Sequence, residues 1–271
     1  MVPILLFFSF TGNFIMNRRR FLSMTASTAT LGLTLSNLQI SSAGAATSNT
    51  QIKAIAFDGF PIFDPRPILD LAKTLYPEQG KFFAKTWFNK IFAYTWLRTN
   101  GVRYKNFYEI IDDALTFTAA QFKVELNADK RDQLTGIWLQ LKPWPDVNKA
   151  LQSFKDQGIR LAFLSNLTEE MLRINCKNSG IQDAFDFFLT TDNVGAFKPD
   201  PRAYQMGIDA FKLPKKNIAF TAFGAWDAVG ASWFGYPTVW VNRLGLPAEQ
   251  LDAGPIITGT DLSTLVDFVK H

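Results

Sequence analysis

Histidine and cysteine are nearly absent from the 271 residues: the one histidine is His271 and the one cysteine is Cys176. A lone cysteine excludes an intramolecular disulfide and a cysteine-built zinc site. A lone imidazole on the last residue excludes a Ser-His-Asp or Cys-His relay unless that residue supplies it. Hydrolytic chemistry here therefore has to run on carboxylates, Lys, Ser or Tyr. Acidic residues are missing from residues 1–46, which carry Arg18, Arg19 and Arg20. The formal charge of +4 comes largely from that stretch, and the rest of the chain is close to balance. The net charge is thus no argument for nucleic-acid binding. Internal repeats and low-complexity segments are also lacking.

What is present is apolar. Hydrophobic residues make up 47% of the chain, with 26 Phe and 7 Trp, which excludes a disordered protein and predicts a sizeable core. Residues 1–15 are apolar but too short to span a bilayer, and Met16 is a candidate start. From there the chain runs through Arg18-Arg19-Arg20-Phe21-Leu22, a mild apolar run over Leu31, Leu33 and Leu35, and the small-x-small signal Ala43-Gly44-Ala45. Residues 1–46 resemble a twin-arginine export signal, which implies the export machinery as a partner and a periplasmic destination. Thr, Ser and Gly dilute the apolar run and oppose the alternative of an uncleaved membrane anchor.

After a lead-in at Thr47 to Gln51, the stretch Ile52-Lys53-Ala54-Ile55-Ala56-Phe57 ends abruptly in Asp58, followed by Gly59-Phe60-Pro61. This is the pattern of a buried parallel strand that delivers one carboxylate to the carboxyl edge of a sheet, where ligands of open α/β sheets sit. Asp58 is accordingly a candidate nucleophile or metal ligand; the plainer reading is a cap for the following turn. Asp64-Pro65-Arg66-Pro67 predicts a stiff hinge whose prolines end any helix. From Ile68 to about Leu141 the apolar spacing is helical, without a strand signal, and predicts an inserted helical lobe. Its aromatic stripe Trp87-Phe88-Phe92-Tyr94-Trp96 reads as core or as a subunit contact, which would make a homodimer through this lobe.

Strands are then expected at Arg160 to Ser165, Phe185 to Thr190, Ile218 to Thr221 and Pro237 to Val241, the last strong one. Helices are expected at Val147 to Gln157, from about Thr168, around Tyr204, and after a Gly-Ala-Trp-Asp turn in a segment holding Gly230 and Gly235. Alternating strands and helices with short connections predict an α/β fold with a doubly wound parallel sheet. The expected boundaries are 47–64 and 145–271 for the core and 65–144 for the helical lobe.

Four strand ends or following turns carry polar groups: Asp58, Ser165-Asn166, Lys198 and Asp227. In a parallel sheet they can converge on one cleft. Taken singly, Ser165 is explained as a helix cap, Lys198 as a solvated side chain and Asp227 as an N-cap. Taken together, Asp58, Leu164-Ser165-Asn166, Lys198-Pro199-Asp200 and Trp226-Asp227-Ala228-x-Gly230-Ala231 resemble the four motifs of the haloacid dehalogenase superfamily. The similarity is greatest to its type II (S)-2-haloacid dehalogenase branch. Further echoes are Tyr94-Thr95-Trp96-Leu97-Arg98, Tyr204 six residues after Lys198, and Phe234-Gly235-Tyr236-Pro237-Thr238.

The resemblance implies a Rossmann-like core, a four-helix cap, and a site between them that uses no metal and no cofactor. It implies that Asp58 attacks the halogen-bearing carbon of a small anionic 2-haloacid, displaces halide and forms an ester that water hydrolyses. Lys198 would hold Asp58 ionised and attract the substrate, and Tyr204 would orient Lys198. Asp227 would position the lysine or the hydrolytic water. Ser165 with nearby backbone N–H groups would bind the substrate carboxylate, beside Gly59 and Asn166, and Phe60, Phe92 and Trp226 would wall the pocket. The superfamily's phosphatases carry two further acidic residues, at the positions of Phe60 and Phe223, so a Mg²⁺ ligand set is missing. The chain also departs from the dehalogenase pattern. The segment after Asp58 is one residue shorter, Phe88 stands where an arginine takes the halide, and Ala222 and Gly224 stand where Ser and Asn fix the water. Asn89, Lys90 and Arg66 are the candidate replacements for that arginine. The alternative is a superfamily member with phosphatase-like activity, or a binding protein that has lost its chemistry.

Overall fold

The computed structural model describes residues 51–270. The export signal expected at 1–46, the candidate start at Met16 and His271 lie outside the described residues. The sheet is built from β1 (Ala54–Phe57), β2 (Arg160–Ser165), β3 (Phe187–Thr190), β4 (Ile218–Ala222), β5 (Thr238–Val241) and β6 (Ile257–Gly259). All pairs are parallel and the spatial order is β3-β2-β1-β4-β5-β6. This is the doubly wound α/β order, whose direction of winding reverses between β1 and β4. The crevice outside their carboxyl ends is where such a sheet receives ligands, and Asp58 follows β1 directly.

Period-two alternation along the strands divides the core between two sheet faces. Ile55 and Phe57 join a cluster with Phe63, Phe154, Phe163 and Phe185, while Ala54 and Ala56 join Ala162, Leu164, Tyr204 and Phe220. The small strand residues on the second face leave room there for aromatic side chains brought by the helices.

Between β1 and β2 the chain makes α1 (Arg66–Leu75), α2 (Gly80–Asn100), α3 (Phe107–Phe122) and α4 (Ala128–Gly136), then α5 (Val147–Asp156). The hinge prolines begin a helix here and do not end one. Pro67 occupies the first turn of α1, where a missing N–H leaves no bond unmade. The two crossings into this helical block are clasped together. Phe63 and Pro143 form an antiparallel bridge, Asp64 N–H donates to Lys142 O at 2.8 Å, and Trp144 N–H donates to Ile62 O at 3.0 Å. The aromatic stripe divides: Trp87 is fully buried in the core, whereas Phe88, Phe92 and Trp96 face a cavity described below.

The remaining helices are α6 (Glu169–Ser179), α7 (Pro201–Phe211), α8 (Ala225–Phe234) and α9 (Ser263–Phe268). Trp226 and Asp227 therefore lie inside the first turn of α8 and not in a turn before it. Gly235 ends that helix in the left-handed region, at φ +97°. Strand β6 and helix α9 have no counterpart in the sequence reading, because β6 is three residues long, mostly exposed, and lacks an apolar run. No helix among the described residues is long and apolar enough to cross a membrane.

Gly230 marks where α8 meets the turn that carries Lys198. A Cβ there would lie 2.6 Å from both Pro199 Cβ and Tyr204 Oη. Alanine in a free helix gains up to ~1 kcal/mol over glycine, but overpacking against a proline ring and a fixed phenol costs ~1–3 kcal/mol. The clash wins. Gly230→Ala is expected to lower the melting temperature by about 2–4 °C per kcal/mol of net loss, read by calorimetry.

Candidate active site

Asp58 leaves the sheet with its N–H still bonded to Thr221 O at 2.9 Å, so it continues the β1–β4 pairing by one residue. Its Oδ2 accepts Phe60 N–H at 3.3 Å. The expected turn cap is therefore present, and it leaves Oδ1 for another partner. Gly59 sits in a tight place, where a Cβ would come within 2.7 Å of Leu167 Cδ1 and 3.2 Å of Ser165 Oγ. The ends of β1 and β2 touch here.

That partner is Lys198, which is completely buried. Its Nζ donates to Asp58 Oδ1 at 2.8 Å and to Asp227 Oδ2 at 2.6 Å. The ammonium also stands 5.2 Å from the centroid of the Phe220 ring, a cation–π distance. Tyr204 Oη donates to Asp227 Oδ1 at 2.7 Å. The phenol, on α7, faces the first turn of α8, so its hold on the lysine runs through the carboxylate. Tyr236 Oη in turn donates to Tyr204 O at 2.6 Å. The lysine backbone is fixed as well, its N–H donating to Asn166 Oδ1 at 3.1 Å.

The electrostatics follow from burial and proximity. Burial alone would drive Lys198 towards a neutral amine, but Asp227 and Asp58 outweigh it and hold the amine above its ordinary value, fully charged. Burial pushes the Asp227 carboxyl up to about 6, with the Lys198 charge opposing. Burial, then the charge of Asp227, raises Tyr204 well above the usual phenol, so it serves as a neutral donor.

Asp58 opens into a cavity of about 550 Å³. Among the described residues its polar lining is Asp58, Asn89, Ser165, Asn166, Asp227 and Glu249, with no Lys or Arg. Phe60, Phe92 and Trp226 line it as expected. Lys198, Tyr204 and Gly59 do not: they stand behind the lining residues, so the lysine acts through Asp58 and cannot itself greet a ligand. Ser165 Oγ accepts Leu167 N–H at 3.1 Å, which leaves its proton free to donate. The helix cap expected at Ser165 belongs to Thr168, whose Oγ1 accepts from Met171 N–H. Of the three candidate replacements for a cation at Phe88, only Asn89 reaches the cavity. Arg66 is bound to Asp64 and stacked on Trp144, and Lys90 sits 3.8 Å over the Phe117 ring.

The sequence reading missed the contribution of Leu246, Pro247 and Glu249, which follow β5 and line the cavity. They carry no motif and no periodicity. The usable signal was positional, since the segment leaving any strand of this sheet emerges on the same edge as Asp58. Phe88, Trp96, Phe107 and Phe223 also line the cavity beyond the expected set.

Among the described residues no three His, Cys, Asp or Glu side chains are grouped as metal ligands. The donor set does not suit a divalent ion, because Asp58 and Asp227 already share the Lys198 ammonium between them.

The model of the haloacid dehalogenase-like hydrolases matches residues 52–235. The (S)-2-haloacid dehalogenase of Pseudomonas sp. strain YL is 36% identical over 220 residues, covering 81% of this chain and 95% of its own. Among solved structures, the L-2-haloacid dehalogenase RSc1362 superposes with a TM-score of 0.79 at 33% identity, covering 82% of this chain and all of its own. The L-2-haloacid dehalogenase of Xanthobacter autotrophicus with chloropropionic acid covalently bound gives 0.74 at 25% identity, over 81% and 98% of the two chains.

Removing the ammonium while keeping the side-chain length tests the electrostatic account. Lys198→Met leaves two buried carboxylates without their cation and is expected to destabilise the fold by ~3–5 kcal/mol at pH 7.5. The deficit should shrink towards pH 5. A carboxyl whose folded pKa lies above its unfolded value of about 3.9 stabilises the fold below that value and loses this contribution as pH rises through the folded one. Without Lys198, Asp227 moves further up, so protonation restores stability as pH falls. Urea denaturation at the two pH values reads the difference.

Proposed function

The chain belongs to the haloacid dehalogenase-like hydrolases, and from that membership we propose that it is a 2-haloacid dehalogenase working through an Asp58 ester without a divalent metal. The observation that carries this reading is the Lys198 ammonium held between Asp58 and Asp227 in a buried site. Such an ammonium fixes Asp58 Oδ1 and leaves Oδ2 available beside an apolar cavity, as a carboxylate nucleophile requires. A relative solved with chloropropionic acid covalently bound supports the covalent step.

Oδ1 is tied to Lys198, so Oδ2 attacks. Its lone pair forms a C–O bond at C2 while the carbon–halogen bond breaks, and halide leaves with the bonding pair. Ser165 donates its hydroxyl proton to the substrate carboxylate, and Asn166 flanks it. Water then attacks Asp58 Cγ, the ester acyl–oxygen bond breaks, and the carboxylate returns with release of a 2-hydroxy acid. One proton of that water ends on the departing alkoxide oxygen and the other is released to solvent, while Asp227, held on both oxygens, keeps the ammonium in place. Tyr204 acts as a positioning residue by holding Asp227. The helices of residues 66–136 serve as the cap over this chemistry.

No cation among the described residues lines the cavity, so the departing halide meets aromatic rings and the Asn89 amide. Weakly basic halides need such help least. Bromide release from 2-bromopropanoate should exceed chloride release from 2-chloropropanoate by roughly two orders of magnitude, about 2.7 kcal/mol in barrier; equal rates would reject this view of the leaving-group site.

Single-turnover incubation in H₂¹⁸O tests the ester. The label should enter Asp58 first and reach product only in later turnovers, with EDTA without effect and Asp58→Asn inactive. Label appearing in product while Asp58 stays unlabelled sinks the covalent reading, and inhibition by EDTA sinks metal independence.

A further inference from the structure

The cavity is much larger than the reaction demands. A two- or three-carbon haloacid has about six non-hydrogen atoms, whereas pockets of roughly 300–1,000 Å³ take drug-sized ligands; this one measures about 550 Å³. The excess volume is aromatic. Phe60, Phe88, Phe92, Trp96, Phe223 and Trp226 come from three separate segments to line it. The rings also touch one another. Trp226 lies 5.3 Å from Phe92 and 5.7 Å from Trp96, and Phe60 lies 5.6 Å from Phe223, all between centroids.

Polarity within the cavity is uneven, and Asn89 is the one polar lining residue among the rings of α2. Asp58, Ser165, Asn166 and Asp227 gather where the sheet ends, and Glu249 stands on an exposed loop. The apolar wall continues outwards to Trp96, 38% exposed, and Leu246, 51% exposed. With a methyl substituent on the reacting carbon, water would fill most of this space and solvate the attacking carboxylate. A large apolar substituent would displace that water and dry the nucleophile. Glu249 would repel a second carboxylate at the far end.

Building on the reading that Asp58 attacks C2, we infer that the site takes monocarboxylic acids whose reacting carbon carries an apolar group of aryl size. The preferred substrate class is therefore 2-halo-3-arylpropanoates, and not haloacetates or halopropanoates.

The full chain is tested with (S)-2-bromo-3-phenylpropanoate and (S)-2-bromopropanoate by bromide release, and with the 2-hydroxy acids 3-phenyllactate and lactate by calorimetric titration. The phenyl acid should show a kcat/KM about tenfold or more above the methyl acid, and phenyllactate should bind about tenfold or more tighter than lactate. Trp96→Ala should narrow both ratios. Tighter phenyllactate binding without bromide from either acid would keep the apolar-acid specificity and reject the dehalogenase reading. Bromide released equally well from both acids, or lactate bound as tightly as phenyllactate, would overturn the inference, with the dehalogenase reading intact wherever bromide appears.

Discussion

One buried ammonium between two carboxylates is the constraint that the rest of the structure serves. Taking the Lys198 ammonium and the Asp227 carboxylate out of water is costly, and the site offsets it only because the geometry leaves little unmet. Lys198 reaches both acids at hydrogen-bond distance, and Tyr204 satisfies the outer oxygen of Asp227. The three charged residues come from the end of β1, the turn before α7 and the first turn of α8. Their convergence requires β1 and β4 to be neighbours at the point where the sheet reverses its winding. Topology thus sets the distance between charges that lie 140 residues apart in the chain.

The arrangement is asymmetric in a useful way. Asp58 shares in the lysine through one oxygen and keeps the other for the cavity, where only the Phe60 N–H touches it. Asp227 is held on both oxygens and cannot rotate away. One acid is free enough to react and the other is rigid enough to hold the charge in place. The cavity repeats the division, with most of its polar groups at the sheet edge and rings making up most of the rest.

Much of this was legible before any coordinates. The apolar run ending in Asp58 announced a buried strand and its exit, and the four polar strand ends announced a common cleft, because a parallel sheet places such ends on one side. Aromatic content announced the core but not its partition. Trp87 and Phe88 are neighbours in sequence, yet one is sealed in the interior and the other faces the cavity. Helical periodicity near the seam of two layers cannot separate those roles. The partner of Tyr204 was hidden for a different reason. Tyr204 stands six residues after Lys198, while the contact it makes runs to α8, which only packing reveals. The segment at Leu246, Pro247 and Glu249 has neither pattern nor motif, and β6 is too short and too exposed to register against a polar background.

The clasp at Phe63 and Pro143 has an evolutionary corollary. Because the chain enters and leaves the helical block through one paired neck, the sheet experiences some eighty intervening residues as it would a short reverse turn, and loop-closure entropy grows only logarithmically with what hangs beyond. Insertions, deletions and wholesale repaving of the block are therefore decoupled from strand registration. Such a joint lets natural variation retailor what the scaffold admits without renegotiating how it folds.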